Sequence, residues 1–234
     1  MTTQELERLG EGLGRRLEKE LGSLLLQAFF HGGCVEGASS PSMGARFSLL
    51  LERVDATLLS TRLHPVLRRF EGRRLALGFV FTPEYIENAR DVFPIEFLDF
   101  QARHLNFAGG EHLASLTIAD ADLRAQAERE LRGLILHLRS ALARLPWKEK
   151  PVSRLLDESA WTLVPIFRAL LRLKGGEVRL SQGALIAGAA AAWKIETLSA
   201  AFLPGAMPWS ARPEACLRSL EALLTAVDDS GPRG

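Results

Sequence analysis

Near residue 117 the apolar residues change period, and that change constrains the fold more than any other feature of the chain. Beyond it, Leu123, Ala127, Leu131, Leu134, Leu138, Leu142 and Leu145 recur at steps of three or four, which puts them on one stripe of a long helix. Asp120 is placed to cap its start, Arg124, Glu128 and Arg132 follow one another at turn spacing on another face, and Pro146 stops it. A second helix is expected from Ser153 to about Leu173, kinked at Pro165 and closed by Lys174-Gly175-Gly176. A third begins near Ser181 in a run of small residues, GALIAGAAAAW. A fourth runs from Pro213 to about Val227, with Leu217, Leu220, Leu224 and Val227 on one face. Helices of this length and pattern predict an all-α four-helix bundle over residues 117–234.

Before residue 117 the texture is mixed. Residues 4–21 and 56–71 read as helices, the latter with Leu59, Leu63, Val66, Leu67 and Phe70 on one face and a kink or restart at Pro65. The runs SLLLQAFF (23–30), FSLLLERV (47–54), RLALGFVF (74–81) and FPIEFLDF (93–100) are short, apolar and bounded by glycine or turn residues, as buried strands are. GGCVEGASSPSMG (32–44) is loop. Strands interleaved with helix predict an α/β layer over residues 1–116, a first domain ahead of the bundle.

Composition removes several functional classes. Of 234 residues 47% are hydrophobic, which supplies a core and excludes intrinsic disorder. Lys and Arg number 29 against 28 Asp and Glu, and neither half is one-sided, so nucleic-acid backbone and anionic membrane are not expected partners. Cys34 and Cys216 form no C-x-x-C pair; they read as small buried hydrophobes rather than zinc ligands or a disulfide. The opening MTTQELERLGEGLGRR has no apolar core of a secretory leader, and the apolar stretch Gly183 to Trp193 is too short to span a bilayer. A cytoplasmic protein is expected.

An α/β domain followed by a helical bundle resembles the minimal nucleotidyltransferases, including the kanamycin-nucleotidyltransferase type. The segment DVFPIEFLDFQARHLNFAGGEHLASLTIADADLRAQAERELRGLILHLRSAL (91–142) is similar to a bacterial group of uncharacterised nucleotidyltransferase-like proteins with a P-I-E-F-L-D segment and an E-R-E-L-R-G helix. The resemblance covers residues 20–145. It implies a nucleotidyltransferase-like α+β domain with a mixed sheet, then the bundle, and a binding cleft between the two domains.

The same resemblance implies an active-site pattern: a Gly-Ser turn after the first strand, an Asp-x-Asp at the start of the second, and a third carboxylate on a later strand. Three carboxylates hold the Mg²⁺ ions that neutralise triphosphate charge, and the turn offers backbone N–H groups to the phosphates. At the matching positions this chain reads FFHGG (29–33) and Ala45-Arg46-Phe47-Ser48, and no acid lies between Glu36 and Glu52. Arg46 in that neighbourhood repels cations and suits an anion. The expected nucleotide-binding residues are therefore Gly32, Gly33 and Arg46. Glu96 stands as the relic third carboxylate, with Asp99 the second choice, and no metal ligand is assigned.

The sequence thus predicts a catalytically degenerate nucleotidyltransferase whose partner is a nucleotide or a protein, without a cofactor and with a dimer left open. An active transferase would have to recruit Glu36, Glu52, Asp55 and Glu96 to hold Mg²⁺. A ribonuclease-like toxin or antitoxin component would use Arg132 and His137 on the long helix, but five positions place them about 140° apart around it. Such a pair reads better as surface residues, Arg132 bonding Glu128 one turn earlier. His31, His64, His104 and His112 have no metal-site spacing.

Overall fold

The computed structural model describes residues 2–35, 45–72, 74–179, 181–203 and 205–230. The chain divides into two compact units: residues 1–90 with 99–117, and residues 91–98 with 118–234.

In the first unit, α1 (Thr3–Leu21) opens with a capping box. Thr2 accepts from the Glu5 N–H, and Glu5 answers with its carboxylate on the Thr2 N–H. β1 (Leu25–His31) is central in a four-stranded sheet of order β3-β2-β1-β4. β2 (Ala45–Leu51) and β4 (His104–Gly109) flank it antiparallel, and β3 (Leu75–Phe81) joins β2 in parallel, so the sheet is mixed. The connection from β2 to β3 carries a helical segment in three parts: α2 (Ala56–Leu58), a π-helical turn (Leu59–Leu63) and α3 (His64–Arg68). Pro65 lies in a continuous helical run directly after the π-helical turn, and that wider turn is where the ladder accommodates a residue with no N–H to donate. α4 (Pro83–Ala89) follows β3.

One sheet face is apolar. Ala28 and Phe30 of β1 and Ala45, Phe47, Leu49 and Leu51 of β2 are buried with Leu6, Leu13, Leu17 and Leu21 of α1 and with Leu58, Leu63 and Val66. Period two along the strands and period 3.6 along α1 produce this core together. The opposite face carries Gln27, Phe29 and His31 of β1 and Arg46, Ser48 and Leu50 of β2.

The expected strand at 93–100 is instead α5 (Pro94–Ala102), and the sheet's fourth strand comes after it. Pro94 suits a helix's first turn, and Ile95/Leu98 and Phe97/Phe100 are three apart while Ile95/Phe97 and Leu98/Phe100 are two apart, so the apolar run satisfies a buried helix equally. All four are buried. The division between units falls inside this helix.

The second unit is helical, with α6 (Asp120–Arg144), α7 (Glu149–Arg172), α8 (Gln182–Trp193), α9 (Thr197–Phe202) and α10 (Arg212–Asp229). Four are the expected bundle helices, and the short α9 is an addition. Asp120 is the first residue of α6 rather than its cap, a place where its charge still favours the helix dipole. The predicted stripe is buried from Leu123 to Leu142, Leu145 falling past the end of α6 and half-buried, and Leu156, Leu163 and Phe167 of α7 with Leu220, Leu223 and Val227 of α10 complete the core. Arg212, 4% exposed, donates to the Ala201 carbonyl and pairs with Asp157 at 2.8 Å, so its charge is answered. Cys34 and Cys216 are buried free thiols. No described helix is long and apolar enough to cross a membrane.

Candidate functional site

The polar face of the sheet is built by register. His31, the last residue of β1, lies opposite Arg46 of β2 on one side and His104 of β4 on the other, and Phe29 lies opposite Ser48. Positions 46 and 48, two apart, therefore point to the same face, as an Asp-x-Asp pair at the start of this strand would. His31 and Ser48 share a hydrogen bond, Nε2 to Oγ, at 2.9 Å, and both side chains are buried. Burial first, then the Arg46 charge, depresses the imidazole to about 4, so His31 is neutral at physiological pH.

β3 completes the face through a bulge. Phe47 pairs with Leu77 but Leu49 with Val80, so two residues of β3, Gly78 and Phe79, oppose Ser48 alone. The Phe79 N–H leaves the ladder and donates to Ser48 Oγ at 3.0 Å. Gly78 is pressed against the pair. A Cβ there would lie 3.0 Å from His31 Nε2, 3.0 Å from Ser48 Oγ and 3.2 Å from Arg46 Cγ. The third position facing 46 and 48 from a neighbouring strand is thus residue 78, where no side chain exists, and His31 fills the space.

This donor set does not fit Mg²⁺. The hard cation needs several oxygen ligands, mostly anionic, whereas this cluster offers a guanidinium, a neutral imidazole and a hydroxyl already engaged by an N–H and a ring nitrogen. Among the described residues, no group of three or more His, Cys, Asp or Glu could hold a metal ion. A carboxylate does reach the β4 side. Glu111 bonds His104 Nε2 at 2.8 Å, accepts from Gln27 Nε2 and receives the Leu113 N–H. Partial burial raises its pKa, but the His104 bond and charge outweigh that and hold it below the usual carboxylate range.

The expected residues are distributed as follows. Gly32 and Gly33 form a tight turn leaving β1, Gly32 at φ +76°, and the Cys34 thiol donates to the His31 carbonyl. Arg46 is exposed at the same end of the sheet. Glu96 lies on α5 and accepts from Gln126 Nε2 at 2.9 Å, while Gln126 Oε1 accepts the buried Ile95 N–H, so α6 holds this segment through one amide. Asp99 of α5 pairs with Arg103, one turn on and the first residue past the helix. Glu52 is exposed just past β2, about 20 Å along the strand from Arg46, and Asp55 caps α2 by accepting from Leu58 N–H. Glu36 lies outside the described residues. Arg132 is exposed and bonds Glu128 at 2.6 Å, and His137 is exposed on α6. Sequence reasoning missed His31, Ser48 and Gly78 as a cluster, because their meeting depends on strand register and on the bulge.

No protein-family model matches the sequence, and no curated protein matches it. Among solved structures, the fold matches a spectinomycin adenyltransferase from Enterococcus faecialis, determined with ATP and spectinomycin. The TM-score is 0.55 at 12% identity, over 97% of this chain and 100% of that one. At that identity the likeness is one of fold. The chain has a nucleotidyltransferase-like α+β arrangement followed by a helical region.

Proposed function

We propose that this chain is a nucleotidyltransferase-fold protein that has given up metal-dependent nucleotidyl transfer and uses the exposed end of its polar sheet face to bind an anionic nucleotide. One observation carries the reading: the facing positions 46, 48 and 78 are Arg, Ser and Gly around a neutral His31, a set that attracts anions and repels Mg²⁺. Arg46 is the contact to phosphate, and the Gly32-Gly33 turn lets a ligand approach the backbone. Of the acids an active enzyme would have to recruit, the three among the described residues are placed elsewhere: Asp55 caps a helix, Glu96 is bonded to Gln126, and Glu52 is at the wrong end of β2.

Calorimetric titration with ATP, GTP, CTP and UTP, each with Mg²⁺ and with a chelator, tests this. Binding is expected without metal, and Arg46→Ala is expected to weaken it roughly tenfold to a hundredfold, the value of a charge-assisted contact. Equal affinity in wild type and Arg46→Ala, or binding that requires Mg²⁺, would overturn the reading.

A further inference from the structure

Phe79 stands apart from the aromatic rings that surround it. Phe29, Phe81 and Phe100 around it are buried, yet Phe79 is 46% exposed. The bulge produces this. By sending the Phe79 N–H to Ser48 Oγ, it turns the ring out of the alternation that would otherwise place it. The ring is nonetheless held by its neighbours. It stacks on His31 with centroids 6.3 Å apart and planes 25° apart, and on Phe81 at 5.4 Å and 28°, with Phe100 6.1 Å away. An aromatic ring that is 46% exposed while packed against three other rings is a platform, and its cost in exposed apolar surface needs a return.

The charge beside it identifies the return. Gly78, next to Phe79, lies against the stem of Arg46, whose guanidinium is exposed. A cation and a partly exposed ring thus both border Gly78 on one sheet face, and a ligand matching both has an anionic group and a planar ring. We infer that Phe79 is the stacking platform for the base of the nucleotide whose phosphates Arg46 contacts. This rests on the anion-binding reading above and adds the base to it. Stacking reads the π face rather than a hydrogen-bond pattern, so the site prefers purine to pyrimidine by ring area and does not distinguish adenine from guanine.

The test is equilibrium binding of ATP, UTP, inorganic tripolyphosphate and adenosine to the full chain, as wild type, Phe79→Ala and Phe79→Leu. Leucine keeps an apolar contact to Phe81 and Phe100 without a ring, so a folding defect in the alanine variant does not obscure the result. ATP is expected to bind more tightly than UTP and tripolyphosphate. Both variants should weaken ATP roughly tenfold while leaving tripolyphosphate unchanged. If ATP and tripolyphosphate bind wild type equally, or the variants lose both alike, the platform is refuted while anion binding stands. Adenosine binding that Phe79→Leu abolishes, without any tripolyphosphate binding, would keep the platform and refute the anion reading. No binding by any of the four probes refutes both.

Discussion

His31 offers a sharp test of the rebuilt sheet face, because its neutrality is a structural consequence. Its imidazole sits at about 4 in the folded chain against 6.5 for a free histidine, first from burial and second from Arg46. The folded pKa is depressed, so between pH 4 and 6.5 the unfolded chain binds more protons and stability rises with pH. Stability is therefore lost as pH falls below 6.5, and the loss is complete below 4. At 1.36 kcal/mol per pK unit, this shift amounts to about 3 kcal/mol in full, of which about 2 kcal/mol is already lost at pH 5. The direct assay is a ¹H–¹³C titration of the histidine ring signals, with His31 assigned by its disappearance in His31→Asn. Its midpoint should lie near 4, and Arg46→Ala should raise it while leaving it below 6.5, since burial is the larger cause. Urea midpoints should fall between pH 7 and pH 5 by the equivalent of about 2 kcal/mol more in wild type than in His31→Asn. A His31 midpoint at or above 6, or identical pH profiles in the two proteins, would refute the argument.

Other consequences can be checked by denaturation. Gly78→Ala places a methyl 3.0 Å from both His31 Nε2 and Ser48 Oγ, so it should cost about 1–3 kcal/mol by overpacking. Gln126→Leu strands the buried Ile95 N–H and should cost about 1–3 kcal/mol, whereas Glu96→Gln keeps an acceptor for Gln126 and should cost under about 1 kcal/mol. Equal losses in that last pair would show that the amide does not organise α5. Arg132→Ala and His137→Ala should each change stability by under about 1 kcal/mol, and RNA cleavage that vanished in both would assign activity to the helical unit instead.

The elements legible in the sequence were those whose period had room to declare itself. The stripe from Leu123 to Leu142 spans several turns of α6, and β1, β2 and β3 overlap the expected strands to within three residues at each end because leucine- and phenylalanine-rich runs there end in turn residues. Residues 93–100 were too few to separate period two from period 3.6, and β4 was overlooked because His104 and Asn106 interrupt its apolar residues with groups bonded elsewhere. The site divided similarly. Arg46 could be placed because the resemblance matches it to the start of the second strand, where the Asp-x-Asp pattern would lie. His31, Ser48, Gly78 and Phe79 could not, since only the register across three strands brings them together and only the bulge turns Phe79 outward. Glu96 looked available because its partner, Gln126, is 30 residues away in sequence.

A transfer assay tests most directly the proposal that this chain binds a nucleotide without performing metal-dependent transfer. The protein is incubated with α-labelled ATP and Mg²⁺ or Mn²⁺, with an aminoglycoside-like acceptor or with its own side-chain hydroxyls as the acceptor. The account predicts no covalently transferred label under either metal. Labelled product that depends on the metal and is lost in Glu96→Gln would contradict it, showing that carboxylates outside the sheet face had been recruited to do the chemistry.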